Sequence, residues 1–137
     1  MKNRVFSFIF IGAIALLTVS GSVLAHHGTG ASYDNSKPVT LKGIVTEFVW
    51  ANPHAQLYFN VKDEKGNTVE WAGELNSPGV LRQQNWTKTM FKAGDEITIT
   101  VFPSKAGTPV GVVNRGKPII VNGKELVPAR TGGNTID

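Results

Sequence analysis

Between Val39 and Val121 apolar side chains return mostly at every second position, the period of a strand with one buried face. Val39–Trp50 is a long apolar-rich run interrupted by Gly43, which suggests a bulge or a sharp bend. Asn52-Pro53 ends that run, because proline has no N–H to give to a ladder. Gln56–Val61 alternates cleanly, with Leu57, Phe59 and Val61 on one face and Gln56, Tyr58 and Asn60 on the other. Lys62–Asn67 has the composition of a hairpin loop. Thr68–Leu75 then returns with Val69, Trp71, Gly73 and Leu75 inward, and Glu70, Ala72 and Glu74 on a solvated face.

The period changes once. Ser77 followed by Pro78 reads as an N-cap and a first helical residue, so a short helix is expected over Ser77–Gln84. Trp86 is expected to pack its end onto the sheet. Phe91–Asp95 is a tight turn, and Glu96–Phe102 alternates Ile97, Ile99 and Val101 against threonines. After a loop over Pro103–Pro109, Val110–Val113 and Pro118–Val121 are the last strand material, and Asn122-Gly123 suits a hairpin turn of the primed type. Three strands, a helix and further strands predict an all-β, five-stranded OB-like barrel with one short helix between strands 3 and 4. A β-sandwich would need about seven strands and no central helix.

Ahead of this domain, residues 1–25 have the parts of a secretory signal. Lys2 and Arg4 open it, an apolar run follows from Val5 to Val19, and Val23-Leu24-Ala25 offers a cleavage site. The apolar run falls short of the roughly 20 residues of a spanning helix, so cleavage after Ala25 and a periplasmic or secreted, membrane-free product are expected. The expected organisation is signal peptide 1–25, N-terminal polar arm 26–37, barrel 38–127 and a flexible tail 128–137.

Composition narrows the chemistry. Without Lys2 and Arg4, twelve basic side chains face ten acidic ones, a net charge of +2 that gives no reason to expect a nucleic acid partner. The chain has no cysteine, which excludes disulfides, thiolate nucleophiles, zinc–thiolate sites and acylation at the cleavage point. It also lacks a Gly-x-Ser-x-Gly elbow, a phosphate loop and a His-Glu-x-x-His helix. Binding is therefore the expectation, ahead of catalysis.

The three histidines fall into two short motifs, His26-His27-Gly28 and Asn52-Pro53-His54. Cleavage after Ala25 would put an amine and an imidazole on the same residue. His26 could then chelate copper(II) through both, with His54 as third nitrogen ligand, a donor set that suits a tetragonal ion. Tyr33 or Asp34 could take an axial place, and His27 could replace His54. Zinc(II) in a tetrahedral site is the variant. Alternatively the histidines are solvated turn residues, and the barrel binds a carbohydrate, peptide or protein partner without metal. Tyr58, Trp50 and Trp71 would supply stacking surfaces for it, unless the tryptophans fill the core.

The order His26-His27-Gly28, Tyr33-Asp34, Val39-Thr40-Leu41-Lys42-Gly43, Asn52-Pro53-His54, Glu70-Trp71, Glu74-Leu75-Asn76-Ser77-Pro78, Trp86 and Gly94-Asp95 resembles a group of small exported bacterial proteins, domain of unknown function 6152. The likeness runs from His26 to about Leu126 and fits less well from Val112 onward. It implies a periplasmic or secreted OB-like domain without an established activity.

Overall fold

The computed structural model describes residues 32–128 and residue 130. Among these residues seven strands and one helix follow in the order β1 (Val39–Val49), β2 (Gln56–Lys62), β3 (Thr68–Glu74), α1 (Pro78–Gln83), β4 (Glu96–Pro103), β5 (Val110–Val113), β6 (Ile119–Val121) and β7 (Lys124–Val127).

Five of these strands close on themselves. β1 pairs with β2 through its C-terminal half and with β4 through its N-terminal half, and Gly43 and Ile44 pair with both neighbours. β2 pairs with β3, β3 runs parallel to β5, and β5 returns antiparallel to β4. The ring is therefore β1-β2-β3-β5-β4 and back to β1, which excludes the open-edged sandwich. The β6–β7 hairpin is added along β4, beyond its pairing with β5. The strand material thus runs past Val121, into Lys124–Val127. Asn122 and Gly123 both have positive φ, 50° and 77°, as the primed turn between them requires.

Gly43 is not the bulge. The ladder slips between Val45 and Glu47, three residues further on. What Gly43 provides is room, because a β-carbon there would collide with the Asn60 carbonyl of β2. The strand thus comes close enough to its neighbour to belong to both halves of the barrel.

The interior is filled from every side. Val45, Leu57, Phe59, Leu75, Ile99 and Val101 are almost wholly buried. Helix α1 plugs the barrel between β3 and β4 with Pro78 and Leu81, and Ser77 caps it by accepting the Val80 amide. Trp86 follows, with its amide on the Leu81 carbonyl and its ring against Phe91. Phe91 meets Phe48 edge to face, and Phe48 meets Trp50 in the same way. The aromatic contacts bind the helical plug to the end of β1.

Candidate functional site

Beyond Val49 the first strand enters a turn whose Asn52–Pro53 bond is cis. The ladder between β2 and β3 then begins one residue before β2 itself, since the Ala55 amide donates to the Asn76 carbonyl and Leu75 donates back to Ala55. Gln56 faces Glu74 in this register, and His54 stands two residues before Gln56. Side chains alternate between the two faces. His54 and Glu74 thus share the outer face as diagonal neighbours, a spacing long side chains can bridge.

They do bridge it. His54 Nδ1 lies against Glu74 Oε1. The other carboxylate oxygen, Oε2, accepts a 2.6 Å hydrogen bond from the Tyr33 hydroxyl. Glu74 is consequently not the solvated residue its place in the alternation suggests: its side chain is 15% exposed, and both oxygens are engaged. The His54 side chain is 34% exposed. Against an ionised carboxylate, which only accepts, Nδ1 would carry the proton, and in the neutral ring Nε2 would keep its lone pair.

Tyr33 comes from the polar arm, which is held on the barrel. Tyr33 forms a bridge with Ser104, the Asp34 amide donates to the Pro103 carbonyl at 2.9 Å, and the Lys105 amide donates to Ser32 at 3.0 Å. The arm therefore crosses the turn between β4 and β5 and reaches the β3 edge of the site. Burial, then the hydrogen bond to Glu74, then its negative charge raise the Tyr33 phenol above the ordinary tyrosine range. It remains a hydroxyl donor at neutral pH and offers no phenolate. Asp34 is occupied elsewhere. Its carboxylate accepts the hydroxyl and the amide of Ser36, which lower it from the usual range.

Of the residues expected at a site, the structure brings His54 and Tyr33 together, through Glu74. His26 and His27 lie outside the described residues. Among the described residues no three histidine, aspartate or glutamate side chains gather as a metal cage. Trp50 and Trp71 are half-buried and pack against the core, as filling residues do, and Trp50 also lies under the Arg82 guanidinium. Of the three expected stacking aromatics, only Tyr58 projects from the outer face of β2, half-buried. A separate groove of about 820 Å³ runs across β1, β2, β4 and β6, lined by Lys42, Ile44, Asn60, Lys62, Glu96 and Ile120 among others. None of the expected site residues lines it.

Across the barrel, Arg115 was not anticipated from sequence. It is 5% exposed, its guanidinium carbon stands 4.6 Å from the centre of the Trp86 ring, and its Nε and Nη1 have no hydrogen-bond partner among the described residues. Burial, with the nearby charge of Arg130 second, lowers it to about 10, so it stays a cation at neutral pH.

No curated protein matches the chain, and no solved structure does. A family model does match it, from residue 14 to residue 114. The match stops one residue after β5, so the barrel strands lie within it and the β6–β7 hairpin beyond it. The chain belongs to the family described as "Family of unknown function (DUF6152)".

Proposed function

We propose that this protein is an exported OB-like barrel that captures or delivers a divalent metal ion, copper(II) before zinc(II), at His54. The observation that carries the reading is the carboxylate on His54 Nδ1. Metal-binding histidines characteristically give their second ring N–H to a carboxylate, which fixes the ring and makes the other nitrogen a better donor. His54 has that arrangement, with Nε2 unpartnered among the described residues.

One imidazole does not hold a metal ion, so the arm must supply the remaining nitrogens. His26 stands seven residues before Tyr33, a distance that extended chain covers within about 25 Å. His26, through its amine after export and its ring, and His27 are the proposed partners of His54. Asp34 Oδ1 is taken by its own turn and the Tyr33 hydroxyl by Glu74, so neither is assigned a ligand role in this reading. The ring order β1-β2-β3-β5-β4, with β3 and β5 parallel, supports the OB-like reading.

Mass spectrometry of the exported protein should find a chain beginning at His26. Copper titration followed by electron paramagnetic resonance should then give nitrogen-rich tetragonal spectra, lost in both His26→Ala and His54→Ala. Undiminished binding in both variants would refute the proposal. Affinity should fall with pH, because protons compete for the same nitrogens.

The groove supports a second reading, a metal-free docking site for an acidic peptide segment of a partner. Lys42 and Lys62 stand beside apolar Ile44, Val61 and Ile120 there. Binding of Glu-rich peptides that disappears in Lys42→Glu/Lys62→Glu, with copper binding unchanged, would favour it.

A further inference from the structure

We propose that Glu74 is a positioning residue that couples docking of the arm to the orientation of the His54 ring. One carboxylate oxygen holds His54 Nδ1 and the other receives the Tyr33 hydroxyl, so a single side chain joins two segments far apart in sequence. For its effect on metal affinity the inference rests on the function proposed above. For the arm and the ring it stands on its own.

The geometry makes the two contacts interdependent. Glu74 Oε1 and Oε2 belong to one rigid carboxylate plane, so turning that plane to suit one partner moves it for the other. Tyr33 is itself anchored on both sides, by Ser32 and Asp34 bonded to the β4–β5 turn. The hydroxyl therefore approaches from a fixed direction and pins the carboxylate. The pinned carboxylate in turn selects the Nδ1–H tautomer of His54 and leaves Nε2 as the ligand atom. Without Glu74 the ring would be free to rotate and to exchange tautomers, and the arm would lose its only side-chain tether to β3 among the described residues.

Nitrogen-15 NMR of the imidazole, at a pH where the ring is neutral, reads the tautomer. Amide exchange of Asp34 and Lys105 reads the arm. Wild type should show Nδ1 as the protonated nitrogen. Glu74→Ala should give a mixed or inverted tautomer and exchange of both amides faster by about 5-fold or more. Tyr33→Phe keeps the ring and the fold, so it isolates the coupling: amide exchange should rise and the His54 signature should shift, although no atom of His54 or Glu74 has changed. Copper affinity should fall about 10- to 100-fold in Glu74→Ala, less in Glu74→Gln, which preserves shape and neutral hydrogen bonds. A wild-type ring protonated on Nε2, or a Tyr33→Phe variant with unchanged ring and amides, would overturn the inference. Failure of wild type to bind copper would instead overturn the metal function and leave these NMR outcomes standing.

Discussion

Replacing Arg115 by methionine should make the protein more stable. Arg115 is 5% exposed, and among the described residues no carboxylate pairs with its guanidinium and two of its nitrogens are unpaired. Taking the charge out of water, beside a second arginine, lowers it from the ordinary 12.5 to about 10, equivalent to about 3 kcal/mol against the charged form. The contact with Trp86 works in the other direction. A cation 4.6 Å from the ring centre, shielded from water, contributes about 2 kcal/mol. Methionine removes the penalty and the cation–π term together, keeps an unbranched chain over the indole, and adds a sulfur–aromatic contact of about 1 kcal/mol. The net gain is about 1–2 kcal/mol, or roughly 5–15 °C in Tm for a domain of this size. Replacing buried charge by apolar residues of similar volume follows the same arithmetic elsewhere.

Arg115→Ala is the necessary contrast. It also relieves the charge, but it empties the space over Trp86 and gives up every contact there, so it should fall below Arg115→Met by about 2 kcal/mol. Urea unfolding of the three proteins measures this, provided the denaturant slope is unchanged. If Arg115→Met is less stable than wild type by 1 kcal/mol or more, the guanidinium has a partner that its surroundings do not reveal, and the reasoning fails.

Four further outcomes follow from the same structure. The folded protein holds the Tyr33 phenol in its neutral form, whereas in the unfolded chain it ionises near pH 10. Its contribution to stability is therefore complete below about pH 10 and is lost as pH rises further, so alkaline unfolding should be steeper in wild type than in Tyr33→Phe, as followed by circular dichroism. A β-carbon at Gly111 would stand 2.8 Å from the Phe102 carbonyl where β5 meets β4, so Gly111→Ala should cost about 1–3 kcal/mol. Gly79→Ala on α1, where the new β-carbon would meet only Ser77 Oγ at an ordinary 3.9 Å, should instead gain about 0.5–1 kcal/mol. Asn122 holds a left-handed φ, accepts the Glu96 amide and donates to Asp95, so Asn122→Ala should cost about 1–2 kcal/mol in thermal unfolding.

The barrel was legible because its signals are local. Alternation over Gln56–Val61 and Thr68–Leu75, the Ser77-Pro78 start of the helix and the Asn122-Gly123 turn each report on a few neighbouring residues, and each appears in the structure. The reading of Gly43 as a bulge failed for an equally physical reason. A glycine inside a strand signals either a bulge or a close approach, and only the neighbouring strand decides which. Here the Asn60 carbonyl decides it. The seventh strand was missed since three of the four positions of Lys124–Val127 are exposed, two of them charged, an edge with little apolar pattern to read.

Glu74 was misread because alternation predicts a face and says nothing of what crosses it. Its outer face is where the chain before β2 and the arm before β1 both arrive, and neither arrival is a local event. Half of it could nonetheless have been counted. The loop expected over Lys62–Asn67 is one residue too long for this, but with Lys62 paired to Thr68, as in the structure, stepping outward places Gln56 opposite Glu74 and His54 one diagonal away. Proximity of His54 and Glu74 thus follows from the position of one turn. The approach of Tyr33 does not, since it depends on the arm crossing the β4–β5 turn at Ser104, a contact with no counterpart in the pattern of either segment. The carboxylate that joins them is the one polar side chain that both a register count and a tertiary crossing must converge on. That convergence is why its loss should be felt in the ring and in the arm at once, where the loss of a solvated glutamate such as Glu70 should be felt in neither.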